Sequence, residues 1–516
     1  MDTKMIQGGS TLKHPTNSPS TDFKIQQLSF ADFILQGKRN RMFLLIALAA
    51  TIAQFIVFKF LYPYPDFFSD SYSYLFAAKA NVDINIWPIG YSKFLRLLHF
   101  ITNSDIVLVS FQYFLIELSG LYFFFTILYF FKPVKTNENI LFAFLFLNPL
   151  FLYISNYISS DPLFIALSVF WFTQLIWILN RPQIHQIFIQ AILLLACFTI
   201  QSNAYYYPVI TVIVFSLSKF PLGRKVAGAL LGLLFIIPFV IHTRNEAYKM
   251  TGAKQFSLSI GWMLASNALY MYEYADTAKT LSPEATKLDG MSKRFYSMMN
   301  RVDSEFHSGL PAYEGNFFIS HPFSPLQEYM EINYKKTDEY SMVQAWGKCS
   351  IIFSEYGIYL IKHNPVAYFR EFMVPNVKNF FLPPLEKMKV YNQGENNIEP
   401  IAKSWFRYKT TKVTSISYKA QGTILYIFTP LFMLISVYLA GMAIVYWIKD
   451  KHKFASPAYK WTFFSMSIFL FLNFCYCLFV SGIVYRFQIF PLIISLAFSL
   501  LLTEINYKKV PSSTIA

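Results

Sequence analysis

Two carboxylates, Asp66 and Asp70, stand four residues apart in Pro65-Asp66-Phe67-Phe68-Ser69-Asp70-Ser71-Tyr72-Ser73-Tyr74-Leu75, directly after a long apolar segment. A carboxylate at the mouth of a membrane span has apolar neighbours yet still meets a water-borne acceptor, the setting a general base needs. Asp70 and Tyr74 share one face if the run is helical, with Ala77, Ala78 and Asn81 below them. The same residues have structural uses. Asp and Ser are favoured as N-caps, and an Asp that follows Pro63 and Pro65 suits a turn, so spacing alone leaves both readings open.

Further candidates lie far along the chain. Asp161, in Ser159-Ser160-Asp161-Pro162, can hold an acceptor hydroxyl, orient Arg244 or cap the apolar run that starts at Pro162. Glu117 sits deep in the apolar segment 107–131, where an ionisable group is costly and marks function by default; it is either protonated or paired with a polar neighbour. Arg244, followed by Asn245, and Arg486, preceded by Tyr485, are suited to bidentate phosphate binding, or to snorkelling at an interface. His99, His242 and His363 are isolated and lack ligand spacing. The chain has no Gly-rich phosphate loop and no Asp-x-Asp, so no motif requires a nucleotide, a cofactor or a divalent metal. Cys197, Cys349, Cys475 and Cys477 offer neither a disulfide framework nor a thiolate metal site.

The elements that must position these groups are membrane helices. With 516 residues that are 55% hydrophobic and only 14% charged, the chain is too apolar for a soluble enzyme and reads as an all-α polytopic membrane protein. Its charge of +15 would suit nucleic acid, but Lys and Arg fall in short clusters between apolar runs, which is an orientation signal and argues against a nucleic-acid partner. Runs long enough to cross about 30 Å of hydrocarbon lie near 42–62, 107–131, 140–157, 162–179, 186–201, 205–218, 225–242, 421–448, 461–481 and 485–503. About ten spans put Lys38/Arg39/Arg41, Lys132/Lys135, Arg181, Lys219/Arg224/Lys225, Lys449/Lys451/Lys453 and Lys508/Lys509 on one side, so both termini are expected in the cytoplasm. Residues 1–41 then form a cytoplasmic tail without a cleavable signal peptide in the usual form, and 42–242 an N-terminal transmembrane module with the first external loop at 63–106. A mostly helical extracytoplasmic domain is expected over 243–420, C-terminal transmembrane helices over 421–503, and a cytoplasmic tail over 504–516. In the loop, 71–81 and 88–100 read as helices along the membrane surface, with Trp87, Tyr91 and the stems of Lys93 and Arg96 at the interface.

The string Ser69-Asp70-Ser71-Tyr72-Ser73-Tyr74-Leu75-Phe76-Ala77-Ala78, followed by Trp87-Pro88-Ile89-Gly90-Tyr91, resembles the first external loop of the GT-C membrane glycosyltransferases. The relatives in view are the aminoarabinose transferases and the dolichyl-phosphate-mannose protein mannosyltransferases. Ser159-Ser160-Asp161-Pro162-Leu163-Phe164 is similar to the acidic motif of those families. His242-Thr243-Arg244-Asn245 with Gly252 and Gly261-Trp262 is similar to their Arg-Asn stretch, and Tyr485-Arg486-Phe487 with Pro491 to their late Arg/Tyr motif. The resemblance covers 42–275 and 360–503, while 276–359 carries no matching motif. It departs at Ser71, where a second acid is common, and at Gln201, where a basic residue is often found.

What the resemblance implies is a glycosyltransferase of the cell envelope. It would sit as a multi-pass protein in the plasma (inner) membrane, with its active site on the extracytoplasmic or periplasmic face. It would move a sugar from a polyprenyl-phosphate-linked donor to an acceptor lipid, glycan or protein, with inversion. Asp70, Asp66 and Asp161 are the catalytic candidates, Arg244 and Arg486 the donor-phosphate ligands, and Tyr74, Asn245 and Tyr485 the positioning residues. Glu117 is the intramembrane polar group. A transporter or flippase of lipid-linked saccharides is the rival reading, for which Glu117 is the essential candidate within the spans. A structural or assembly protein, the third reading, would need neither Asp70 nor Arg244.

Overall fold

A computed structural model describes residues 29–276, 281–302, 317–334, 336–480 and 482–507, so the tail 1–28, Lys508, Lys509 and part of the 243–420 region lie outside the described residues. The chain divides into two compact units, Met1–Leu48 and Ala49–Ala516. In the first, Ser29 caps the short helix Phe30–Gln36 by accepting from Asp32 N at 3.1 Å. Helix α1 (Lys38–Leu61) runs through the boundary between the units.

The second unit continues with α2 (Ser69–Ala80), α3 (Gly90–His99), α4 (Asp105–Phe131), α5 (Lys135–Phe146), α6 (Asp161–Asn180), α7 (His185–Ile200), α8 (Tyr207–Leu217) and α9 (Leu222–Thr251). Next come α10 (Ile260–Leu269), α11 (Pro283–Val302), α12 (Pro325–Asn333), α13 (Glu339–His363), α14 (Val374–Phe381) and α15 (Pro400–Phe406). The chain closes with α16 (Phe428–Ile448), α17 (Pro457–Phe479) and α18 (Tyr485–Tyr507). Among the described residues there is no β-strand, only isolated bridges at Asp66–Tyr157 and Asn397–Lys412.

This is an all-α polytopic membrane protein. Among the described residues eight helical segments are long and apolar enough to cross a membrane: Lys38–Leu61, Asp105–Phe131, Lys135–Ser155, Asp161–Asn180, Leu222–Thr251, Ala420–Ile448, Tyr459–Phe479 and Tyr485–Tyr507. The other two expected spans are helices too, but shorter. At about 1.5 Å per residue, the 16 residues of α7 reach about 24 Å and the 11 of α8 about 16 Å, less than a hydrocarbon core of about 30 Å. The break between them is the 3₁₀ turn Ser202–Ala204, after which Pro208 sits in the first turn of α8, where a missing N–H costs nothing.

Burial separates inner from outer helices. The apolar windows of α6 and α18 are 83% and 78% buried, against 22% for α9 and for Ala420–Ile448, whose remaining apolar surface faces outward. The packing pairs α4 with α6, α16 with α18, and α7 with both α6 and α9. Gln112 of α4 ties this bundle to the loop before α6, donating to the carbonyls of Ser155 at 2.8 Å and Tyr157 at 3.1 Å while accepting from Tyr91 Oη at 2.7 Å.

Helix α9 does not stop at 242, because nothing between His242 and Met250 breaks it. It runs on to Thr251 and ends where Gly252 takes φ +81°, a conformation suited to glycine. Beyond it, α10 packs on α13 to form the core of the helical region. Trp262 and Trp346 stack at 3.8 Å, Trp262 Nε1 donates to Trp346 O at 3.0 Å, and Phe353 meets Trp262 edge-on at 4.7 Å. Asp338 and Ser341 start α13 with a reciprocal capping box at 2.7 and 3.0 Å. The close approach of these helices depends on Gly261, where an added Cβ would lie 1.8 Å from the Ser350 carbonyl oxygen. Gly261→Ala forces the helices apart, and thermal unfolding is expected to register a loss of about 1–3 kcal/mol; an unchanged melting temperature would contradict the contact.

Candidate active site

The chain enters α2 in an extended conformation at Phe68, whose N–H donates to Ser71 Oγ at 3.2 Å. The helix starts without a side-chain N-cap bond, so Asp70 is not used as a cap. Asp70, in the first turn and 8% exposed, turns its carboxylate elsewhere: Lys387 Nζ reaches both oxygens at 3.2 Å. Arg486 Nη1 is 3.6 Å from Asp70 Oδ2. Asp161 is not a cap either, since α6 has no side-chain cap bond. Its carboxylate accepts from Ser159 Oγ at 3.0 Å, Gln201 Nε2 at 3.1 Å and Arg486 Nη1 at 3.2 Å.

Arg486, in the first turn of α18, is therefore the junction between two carboxylates supplied by α2 and α6, and its Nη2 lies 3.6 Å from Glu386 Oε2. The Phe68 ring lies under both cations, 4.9 Å from Lys387 Nζ and 5.2 Å from the Arg486 guanidinium carbon. Asp70, Tyr74, Asp161, Gln201, Lys387 and Arg486 all line one cavity of about 690 Å³, which Glu386, Lys389, Trp262 and Trp346 also reach. Tyr74 donates to or accepts from Ser160 Oγ at 3.0 Å, and burial keeps its phenol well above the ordinary value. Buried charges of this kind persist only when paired, and here each carboxylate has a cation within 3.6 Å.

Lys387 reaches Asp70 because the segment that carries it is fastened at several points. Tyr485 N donates to Pro384 O at 2.9 Å, Tyr157 Oη to Lys387 O at 3.2 Å, and Gln421 Nε2 to Met388 O at 2.9 Å. Glu386, Asn392 and Gln393 take φ values of 49°, 47° and 53°, the left-handed region that costs a side-chain-bearing residue about 1–2 kcal/mol. The fastener that closes this turn is Asp66. Its Oδ1 accepts from Asn392 N at 2.8 Å and its Oδ2 from Gln421 Nε2 at 3.1 Å, while its backbone pairs with Asn156 O and Ile158 N. Asp66 is 1% exposed and outside the cavity lining, so it holds the Lys387 segment and does not face the reaction space.

Burial pushes the Asp66 carboxyl up to about 7, with the donors from Asn392, Gln421 and Tyr157 pulling the other way. A folded-state pKa above the unfolded value near 3.8 means that the fold favours the proton. The contribution of Asp66 is therefore greatest below about pH 4, falls by at most about 1.4 kcal/mol per pH unit through the window up to about 7, and is flat above it. Thermal unfolding of wild type and Asp66→Asn at pH 5 and pH 8 tests this. Wild type is expected to gain on the variant at the lower pH, and a gap independent of pH would contradict it.

Besides Asp66, four of the expected residues are elsewhere. Arg244 and Asn245 lie exposed on α9 and do not line the cavity, while one turn back His242 Nε2 stands 3.5 Å from Asp83. The uninterrupted helical phase of α9 points this pair away from the cavity. Tyr485 is fully buried and contributes packing and its backbone N–H. Glu117 is buried within α4, where Thr51 Oγ1 donates to it at 3.4 Å, apart from the cavity. Conversely, Glu386, Lys387 and Lys389 enter the site although sequence reasoning passed over them. The available signal was a compact charge cluster, Glu386-Lys387-Met388-Lys389, one residue after Pro383-Pro384. Among the described residues no three His, Cys, Asp or Glu side chains are grouped to hold a metal ion.

Fold and site together define a multi-pass helical membrane protein with a charged cavity where α2, α6 and α18 begin and α7 ends. A scan of protein families, a search of curated proteins and a search of solved structures each return no match to this chain.

Proposed function

We propose that the chain is a GT-C type integral membrane glycosyltransferase that takes its sugar from a polyprenyl-phosphate donor. The observation that carries this reading is the meeting of Asp70, Asp161, Lys387 and Arg486, supplied by four sequence-distant segments, in one cavity at the ends of apolar helices. In such a transfer the acceptor oxygen forms a bond to the anomeric carbon as the carbon–oxygen bond to phosphate breaks, and the electron pair leaves with the phosphate. The configuration inverts. Lys387, Lys389 and Arg486 are the cations that would receive the developing phosphate charge. Asp70 would take the acceptor hydroxyl's proton as the new bond forms, and Asp161, braced by Ser159 and Gln201, would hold Arg486 in place.

Arg244 has no place in this arrangement, and the donor-phosphate role passes to Arg486 with Lys387. The eight spans among the described residues and the ten expected from sequence are both even, so either count would keep the termini on one side, which the Lys/Arg distribution would make cytoplasmic with the cavity extracytoplasmic. The lipid tail of the donor would lie against the Phe-rich outer helices.

The rival reading, a flippase of lipid-linked saccharides, draws on Glu117 alone, buried within a span and hydrogen-bonded to Thr51. Glu117→Gln separates the two. The glycosyltransferase reading expects it to keep sugar transfer within a few-fold, measured as polyprenyl phosphate released from the lipid-linked donor in detergent, where no bilayer remains to cross. Intact transfer in detergent together with lost movement of the saccharide across a reconstituted bilayer would favour the flippase.

A further inference from the structure

A second charged pocket lies at the other end of α2. Lys79, Arg96, His99, Phe100, Ser404 and Trp405 enclose about 190 Å³ where the last turns of α2 and α3 meet α15. Each side chain is held in place. Lys79 Nζ donates to Ser404 Oγ at 3.1 Å, and Arg96 Nη1 donates to Ala78 O at 3.1 Å. The His99 ring lies 4.0 Å from Trp405, and the Arg96 guanidinium sits 5.5 Å over Phe100. Asn103, with its amide turned to donate to His99, accepts from Arg407 Nε at 3.0 Å, so Arg407 stands beside the same pocket. No carboxylate is in the lining, and among the described residues Lys79, Arg96 and Arg407 make no ion pair. Among the described residues the lining supplies these cations with no counter-charge. Consistent with that, His99 is held below its ordinary value by burial and then by Arg407 and Arg96.

The surroundings of this pocket are apolar. Leu97, Phe100 and Ile101 are 65%, 76% and 79% exposed, and a few residues on, α4 begins as one of the helices that can cross a membrane. Its first turns expose Ile106, Val107 and Phe111 as well. Cations beside exposed apolar side chains near the start of a span match an amphiphile, with charge and hydrocarbon adjacent, better than a soluble anion.

We propose that this pocket binds the phosphodiester headgroup of an anionic phospholipid, with the phosphate at Lys79 and Arg96 and the acyl chains along Phe100, Ile101 and the outer face of α4. Because α2 carries Asp70 in its first turn and Lys79 in its last, the lipid would brace the helix that presents the catalytic candidate. The inference is independent of the sugar-transfer reading.

Trp405 provides the readout. The full chain in a neutral detergent is titrated with dibrominated phosphatidylglycerol or dibrominated phosphatidylcholine, and the Trp405 share of the quenching is taken as the difference between wild type and Trp405→Phe. The anionic lipid is expected to quench that share at about 25-fold lower concentration, from roughly a factor of five for each of the two cations. Lys79→Gln/Arg96→Gln is expected to abolish the preference, while Lys79→Arg/Arg96→Lys, which keeps the charge, retains it. Equal quenching by both lipids, no quenching by either, or a preference that survives the charge-removing pair would overturn the proposal. So would release of the quenching by millimolar inorganic phosphate, which would make the pocket a site for a soluble anion.

Discussion

Asp70→Asn is expected to lower sugar transfer by about 10²–10⁴-fold, the usual contribution of a positioned proton acceptor. Asparagine has the same shape, its amide oxygen still accepts from Lys387, and Arg486 keeps its 3.2 Å bond to Asp161. Lys387 exchanges its carboxylate partner for a neutral acceptor, so the melting temperature is expected to fall, though less than in Arg486→Ala, and the loss of transfer is read as kcat on folded protein. A variant that inserts, folds and transfers sugar at full rate would remove Asp70 from the chemistry. The fall should also leave donor binding largely intact, because the phosphate would contact Lys387 and Arg486.

Arg486→Ala is expected to have the other large effect, and on two quantities at once. It strips Asp161 of its cation, leaving Ser159 and Gln201 as the partners of a carboxylate that is 3% exposed, and it takes one of two cations from Asp70. An uncompensated buried charge of this kind costs about 3–5 kcal/mol, a large part of the 5–15 kcal/mol that holds a typical fold. Thermal unfolding should show the loss directly. Arg486→Lys restores the charge but not the fork that spans Asp70, Asp161 and Glu386, so stability should recover in part while KM for the donor stays raised. Wild-type stability and donor affinity in Arg486→Ala would contradict the role of this side chain as the junction of the site.

The parts of this arrangement that the sequence announced are those set by local pattern. The helix starts at Ser69 and Asp161 are readable because Ser, Asp and Pro cluster before apolar runs, and the apolar runs themselves place the helices. Placing the Lys and Arg clusters on one side puts Asp70, Asp161 and Arg486 on the opposite face together. What local pattern could not reveal is the partner of Asp70. Lys387 lies on an irregular turn with left-handed residues at Glu386, Asn392 and Gln393, and nothing periodic marks where such a turn will point. Its position is fixed by Asp66, Tyr157 and Gln421, which come from three separate parts of the chain.

The same non-local bonds explain why Asp66 and Asp70 part company. Both are acidic residues of one short stretch, but Asp66 spends its oxygens on Asn392 and Gln421 and stays out of the cavity that Asp70 lines. Arg244 illustrates the converse. Its Arg-Asn context drew attention, yet its direction depends on the phase of a helix that continues to Thr251, and that phase leaves it exposed. The break between α7 and α8 at Gln201–Tyr206 falls where the sequence separates the runs 186–201 and 205–218, and what differs is their length, which leaves both helices shorter than a span.

The central claim is that this cavity moves a sugar from a lipid-linked donor to an acceptor, with Asp70 taking the proton. It is tested most directly by the envelope glycans of cells that lack the protein, compared with the same cells supplied with wild type or with Asp70→Asn at equal membrane abundance. The account predicts that one sugar residue disappears without the protein, returns with the wild type, and stays missing with Asp70→Asn. Glycans unchanged by loss of the protein, or restored in full by Asp70→Asn, would contradict it.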